Sequence, residues 1–178
     1  MQKHLYERGL IMQIKKMTLS SLLIALGTLT GHIIFVPVGV ARAFPVQHLI
    51  NVISAVILGP AYAVWNAFAI AVLRNVLGVG SLLAFPGGMI GALLAGLIYK
   101  KYKSNFATVL AETFGTGILG GIAAYPVASL LIGQDAGALF FVIPFIVSAA
   151  AGSVIAYFAL EAMEKTELLQ KWQQVGGN

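Results

Sequence analysis

The sequence predicts an all-α membrane protein with six transmembrane helices and with both termini in the cytoplasm. Of its 178 residues, 59% are hydrophobic and 10% are charged, whereas a soluble domain carries roughly 25% charged residues. Stretches without Asp, Glu, Lys or Arg, each long enough to cross a bilayer, cover residues 17–41, 43–73, 75–99, 113–134 and 136–160. The helix breaker Gly59-Pro60 divides the longest stretch in two and brings the count to six.

Prolines, glycines and charges indicate where the helices begin and end. We assign the helices to about Lys16–Val36, Pro45–Leu58, Ala61–Leu77, Gly87–Tyr99, Asn105–Leu131 and Ala138–Met163. Loops are expected at 37–44 and 78–88, and Pro144 predicts a kink in the last helix. The chain therefore divides into an N-terminal cytoplasmic or interfacial segment (1–15), a transmembrane domain (16–163) and a cytoplasmic tail (164–178).

A cleaved signal peptide is the alternative interpretation of the first apolar run. Ala41-Arg42-Ala43 imitates a cleavage site. The run is longer than the typical 7–15 residues of a signal peptide's apolar region, and the rest of the chain is equally hydrophobic. We therefore assign the run to a first membrane helix.

The basic residues predict the orientation in the membrane. They cluster at Lys3, Arg8, Lys15 and Lys16, and again at 100–103. Six spans place both clusters on one face, and the positive-inside bias makes that face cytoplasmic. Asp135 then lies outside, as does Arg42, the one basic residue against the trend. The net charge of +5 does not indicate nucleic-acid binding, because no basic stripe with interleaved aromatic residues is present. We expect a multi-pass protein of the cell membrane.

No catalytic, metal or cofactor motif is apparent. The chain has no cysteine, and its three scattered histidines lack the spacing of metal ligands. A Walker-type nucleotide motif, H-E-x-x-H and G-x-S-x-G are all missing. Residues 115–120, Gly-Thr-Gly-Ile-Leu-Gly, match G-x-G-x-x-G but lie inside a predicted membrane helix, where they indicate close helix packing. We predict that the protein is not an enzyme and needs no cofactor.

Glu112 is the only acidic residue inside a predicted span. Burying a carboxyl group in a membrane is costly unless it is paired or protonated, so such residues are by default functional. Thr113 and Thr116 are expected on roughly the same helix face. The alternative is a protonated glutamic acid bonded to a helix carbonyl.

Further polar and aromatic residues fall towards the outer ends of the spans. His48 and Asn51 are one helical turn apart, and Arg74 either contacts a ligand or snorkels to the interface. Trp65 and Asn66, by contrast, fall nearer the inner side of the third helix, where Trp65 is interpreted as interfacial and Asn66 as forming a helix–helix hydrogen bond. His32 falls in the outer half of the first helix. Aromatic side chains near the outer face could stack on a flat ring. The candidate ligand-binding residues are Phe44, His48, Asn51, Arg74, Asn75, Phe85, Glu112, Thr113, Thr116 and Tyr125.

Small residues recur at a spacing of four along several spans, which lets helix backbones approach closely in lipid. Ser21 and Ala25 form one such pair on the first helix. The pair either packs within the chain or docks a partner subunit.

Several runs resemble a known transporter family. Lys15-Lys-Met-Thr-Leu followed by a small-residue helix resembles the S-components, the substrate-binding subunits, of energy-coupling factor (ECF) vitamin transporters. The segment 36–102, with the runs F-P-V-Q-H-L-I-N, L-R-N and A-F-P-G-G-M-I-G-A, is similar to the ThiW family specifically, as is A-E-T-F-G-T-G-I-L-G-G at 111–121.

The resemblance implies a six-helix S-component bundle that captures its substrate from outside under loops. It implies partners as well: a transmembrane T-component and two cytosolic ATPases. Family members dock through A-x-x-x-A on the first helix, and the matching position here reads Ser21-Leu-Leu-Ile-Ala25. Proteins of the ThiW type are associated with thiamine-precursor uptake, usually of the hydroxyethylthiazole moiety.

Three interpretations remain open. Glu112 could accept the hydroxyl group of hydroxyethylthiazole, or it could pair with the aminopyrimidine of hydroxymethylpyrimidine, the other half of thiamine. A different class is a proton-coupled carrier or small membrane enzyme that uses Glu112 as its proton site.

Overall fold

A computed structural model describes residues 2–31, 33–38, 41–133, 137 and 139–176. The regular secondary structure of the described residues is helical apart from one hairpin, in agreement with the predicted fold class. In order, its elements are α1 (Gln2–Thr30), β1 (Val36–Val38), β2 (Ala41–Ala43), α2 (Pro45–Ile57), α3 (Pro60–Val76), α4 (Ala84–Tyr102), α5 (Asn105–Phe114), a π-helical segment (Gly115–Gly120), α6 (Gly121–Val127), a second π-helical segment (Ala128–Ile132), α7 (Val142–Lys165) and α8 (Leu168–Gly176). His32 and Asp135 lie outside the described residues.

The break between α2 and α3 is where the sequence predicts it. Gly59 has a φ of 87°, a backbone conformation that glycine adopts without steric cost. Pro60 then occupies the first position of α3, where its missing N–H group is not needed. The two residues therefore end one helix and begin the next, as predicted.

The first helix and the loop after it differ from the prediction. Helix α1 begins at Gln2 and ends at Thr30, so the predicted boundaries at Lys16 and Val36 were wrong. No proline interrupts the chain before Pro37, and helical structure therefore extends back through residues 2–15. The predicted loop at 37–44 contains an antiparallel hairpin in which Val36 pairs with Ala43.

Two prolines lie at other places in their helices than the sequence predicted. Helix α4 begins at Ala84, so Pro86 lies in its first turn and not in a loop. Helix α7 begins at Val142, so Pro144 also lies in a first turn and the predicted kink there was wrong. Proline is tolerated in a first turn because its missing N–H group would have no intrahelical partner.

By length and composition, three helical stretches of the described chain can each cross a membrane: Gly9–Thr30, Asn105–Leu131 and Val142–Lys165. The second of them is the predicted fifth helix, which is continuous from α5 to the second π-helical segment. Gly133 ends it with a φ of 71°. Helix α2 is apolar but shorter.

Glycines allow the backbone of α4 to contact the backbone of the first π-helical segment. The added methyl group of an alanine at Gly120 would overlap the Cα atom of Gly87, and one at Gly115 would lie 2.9 Å from the Cα atom of Gly91. The G-x-G-x-x-G match is therefore a packing surface, as predicted. Where no hydrophobic force distinguishes helix from lipid, such backbone contacts drive helix association.

Replacing Gly120 with alanine should lower the free energy of unfolding by about 1–3 kcal/mol, because α4 must move away from the first π-helical segment. Gly9→Ala is the matched control, since nothing lies within 4 Å of its added methyl group. The control should leave stability unchanged or raise it by about 0.5–1 kcal/mol. Unfolding by SDS in mixed micelles measures both, and equal stabilities would contradict the proposed packing.

Candidate ligand-binding site

A buried polar cluster surrounds the carboxyl group of Glu112. This side chain extends from α5 and is completely buried. Its Oε1 atom lies 2.9 Å from His48 Nδ1 and accepts hydrogen bonds from Asn51 (3.3 Å) and Thr116 (2.9 Å). Its Oε2 atom accepts a hydrogen bond from Ser153 at 3.0 Å. Residues of α2, α5, the first π-helical segment and α7 thus meet at one carboxyl group.

Two glycines allow these helices to come close enough. A methyl group on Gly91 of α4 would lie 3.1 Å from Glu112 Oε1 and would overlap the hydroxyl group of Thr116. A methyl group on Gly152 of α7 would overlap the Pro45 carbonyl oxygen and lie 2.8 Å from the Cβ atom of His48. The carboxyl group is therefore enclosed by backbone on the α4 side and held against α2 by α7.

The contacts are divided unevenly between the two carboxyl oxygens, with three side chains at Oε1 and one at Oε2. Two carboxylate oxygens offer about four lone-pair sites, and four side chains approach them. A buried carboxyl group is costly when it lacks partners, and hydrogen bonds offset that cost. The contact with His48 becomes an ion pair when the imidazole ring is protonated.

A second polar group forms around Arg74 of α3, which is 1% exposed. Its guanidinium donates hydrogen bonds to Gln47 Oε1 (2.6 Å) and to the Val79 carbonyl oxygen (3.3 Å). It also stacks on the ring of Phe44, 3.8 Å from the ring centre, in a cation–π contact that is strongest when desolvated. The Arg74 side chain is thus held inside the chain by neutral partners.

The two polar groups adjoin each other along α2. Gln47 belongs to the Arg74 group and Asn51 to the Glu112 group, and side chains four residues apart on a helix lie about 5–6 Å apart. Among the described side chains, Asn51 Oδ1 and Arg74 Nε are buried without a hydrogen-bond partner. The third such atom, Asn105 Oδ1, belongs to a side chain that bonds Glu161 and Glu164 of α7. Each polar group therefore contains one unsatisfied buried atom, an acceptor in the Glu112 group and a donor in the Arg74 group.

The structure brings together six of the ten predicted ligand-binding residues: Phe44, His48, Asn51, Arg74, Glu112 and Thr116. The other four lie elsewhere. Thr113 bonds the carbonyl oxygen of its own helix at Val109, and Asn75 bonds the Ala71 and Ser81 carbonyl oxygens. Phe85 packs edge-on against Phe68, and Tyr125 is 39% exposed.

Gln47 and Ser153 were missed by sequence reasoning. Gln47 lies four residues before Asn51, a spacing that places both on one helix face and that could have identified it. Ser153 gave no signal, because a serine in an apolar helix resembles any small packing residue. The prediction for Asn66 is confirmed: it accepts a hydrogen bond from Ser20 and donates one to Ser54, joining α1, α3 and α2.

The apolar helices and the enclosed polar cluster define a membrane protein with a candidate site for a small polar molecule. A family model described as "Thiamine-precursor transporter protein (ThiW)" matches residues 17–166. The chain therefore belongs to the ThiW family of thiamine-precursor transporters, as the resemblance in its sequence predicted. Comparisons with curated proteins and with solved structures found no match.

Replacing Glu112 with leucine should lower the free energy of unfolding by about 3–5 kcal/mol, because several buried polar groups would lose their shared partner. Glu112→Gln keeps one acceptor oxygen and should cost less. Thr113→Val, on the neighbouring residue, removes only a bond to its own helix and serves as the control. Unfolding in mixed micelles measures all three, and a Glu112→Leu variant as stable as Thr113→Val would contradict the role of the cluster.

Proposed function

We propose that this protein is the S-component of an ECF transporter and binds hydroxyethylthiazole. The observation that carries the proposal is the unpartnered acceptor Asn51 Oδ1 beside the Glu112 cluster, in a chain of the ThiW family. A ligand hydroxyl group satisfies that acceptor. A buried polar atom without a partner costs about 1–3 kcal/mol, and this cost is relieved when the ligand binds.

The aromatic part of the ligand is assigned to the Arg74 group. Phe44 already carries a planar group, the guanidinium, on its ring face, and a flat heteroaromatic ring stacks on either partner. A ring nitrogen can accept a hydrogen bond from Arg74 Nε, which lacks a partner. The separation of about one helical turn between the two groups suits a ligand of one ring and a short alcohol arm.

Thiazole is favoured over pyrimidine because Oε1 of Glu112 already has three partners. An aminopyrimidine binds a carboxyl group through two parallel hydrogen bonds, and this would displace His48 or Asn51 from Oε1. The thiazole alcohol requires only one new acceptor. Hydroxymethylpyrimidine is therefore the runner-up ligand.

The proposed topology has six spans, α1 to α4, the helix 105–131 and α7, with both termini in the cytoplasm. The basic residues Lys100 and Lys101 fall in the last turn of α4, on the same side as the basic residues of α1. This arrangement follows the positive-inside bias of the cytoplasmic membrane. The ligand then enters from the outer face, near the hairpin of β1 and β2.

The energy for uptake is assigned to partner chains, a T-component and two ATPases. The sequence has no Walker-type motif, and Ser21 and Ala25 lie exposed on α1. A face of small exposed residues permits a second helix to approach closely. We assign partner docking to this face.

A second candidate, a proton-coupled carrier, is favoured by one observation, the buried contact of Glu112 with His48. The pure protein in liposomes separates the two functions. A carrier accumulates substrate when a proton gradient is applied, whereas an S-component binds the ligand and accumulates none until its partners are added.

By titration calorimetry, the detergent-purified protein should bind hydroxyethylthiazole at least tenfold more tightly than hydroxymethylpyrimidine. Asn51→Leu should weaken thiazole binding about tenfold or more, because it removes the acceptor for the hydroxyl group. Asn66→Leu is the matched control, since Asn66 is equally buried but bonds only Ser20 and Ser54. The reverse ligand order would reject the thiazole assignment, and equal effects of the two variants would reject the site.

Ala25→Leu should abolish co-purification with the T-component while leaving ligand affinity within about twofold, because its side chain is exposed on α1. Ala151→Leu makes the same change on an exposed position of α7 and should leave assembly intact. Loss of assembly in both variants, or in neither, would contradict docking through α1.

A further inference from the structure

A groove lies between α1 and α8, away from the candidate ligand site. Its volume is about 340 Å³, and its lining comprises Ile11, Met12 and Lys15 of α1 with Lys171, Gln174 and Val175 of α8. No residue of the Glu112 or Arg74 groups contributes to it. The groove is therefore separate from the candidate ligand site.

The two walls of the groove combine positive charge with apolar surface. Lys15 and Lys171 stand on opposite walls, and Gln174 adds an amide. Ile11, Met12 and Val175 supply the apolar part. An amphiphile with an anionic head and a hydrocarbon chain matches this combination.

The position along α1 corresponds to the headgroup level of a bilayer. The apolar stretch of α1 begins at Gly9, and the side chains of Ile11, Ile14 and Met17 are each more than half exposed. A lysine among exposed apolar side chains at the start of a membrane helix extends its ammonium group to the interface. Lys15 is such a residue.

Helix α8 is held at the same level. Leu169 is buried, and Gln173 donates a hydrogen bond to the hydroxyl group of Tyr99 on α4 at 2.5 Å. Trp172, adjacent to Lys171, is 38% exposed, and tryptophan is enriched at membrane interfaces. Both walls of the groove are thus fixed where lipid headgroups lie.

We propose that the groove binds an anionic phospholipid. The phosphate group lies between Lys15 and Lys171, and an acyl chain runs along Ile11 and Met12. Juxtamembrane basic residues attract anionic lipids, and a groove with two opposed lysines adds a defined position for one headgroup. The bound lipid then links α8 to α1.

The test uses the fluorescence of Trp172 in the full chain. The protein has two tryptophans, so Trp65→Phe, at an exposed position of α3, leaves Trp172 as the single probe. The purified protein in detergent micelles is titrated with brominated phosphatidylglycerol or brominated phosphatidylcholine. Phosphatidylglycerol should quench at a mole fraction at least fivefold lower, and Lys15→Gln with Lys171→Gln should remove that difference.

The control is Lys100→Gln with Lys101→Gln, which removes the same charge from exposed positions on α4 and should keep the preference. Equal quenching by the two lipids in the parent protein would overturn the proposal, and so would an equal loss in both double variants. Displacement of the lipid by millimolar inorganic phosphate would overturn it too, because the site would then bind free anions. Lys15→Arg with Lys171→Arg should retain the preference, which separates lost charge from lost folding.

Discussion

The burial of the Glu112 carboxyl group is the constraint on which the rest of the structure depends. A carboxyl group inside a bundle of apolar helices is tolerated only when partners replace its hydration. Those partners come from α2, α7 and the first π-helical segment. Each helix must therefore keep its distance from the carboxyl group and its rotation about its own axis. The glycines at 91 and 152 follow from this requirement, because any side chain there would force the donors away.

Helix α2, which supplies two of the side chains around Glu112, also joins this cluster to the Arg74 group. Gln47, one residue before His48, accepts from Arg74, and Phe44, just before α2, stacks on that guanidinium. Phe44 is itself fixed, since its backbone N–H group donates to Ser148 of α7. A displacement of α2 would alter both polar groups together. A ligand that spans both groups, as proposed, would therefore contact the same helix at both of its ends.

The sequence predicted those features that depend on local rules. Gly59-Pro60 ends and begins a helix whatever surrounds it, and a lone acid in an apolar span indicates a buried site. Helical periodicity was misapplied to Thr113, which is next to Glu112 and points about 100° away from it. Only Thr116, one turn after Glu112, shares its face. The start of α1 was missed because a polar, charged segment gives no membrane signal yet remains helical. Ser153 depends on how α7 is rotated against α5, which only the packed bundle determines.

The arrangement of charge bears on which form of ligand the proposed site accepts. Arg74 is buried within the chain and has neutral partners, the amide of Gln47, a carbonyl oxygen and an aromatic ring. The carboxyl group of Glu112 belongs to the other polar group and is already approached by four side chains. A thiazolium ring, as in intact thiamine, would bring a fixed positive charge against the buried guanidinium, whose described partners are all neutral. Like charges within a few ångströms are strongly unfavourable where the dielectric constant is low. A neutral thiazole meets no such repulsion and can use the guanidinium as a hydrogen-bond donor, so the charges favour the precursor over the finished vitamin.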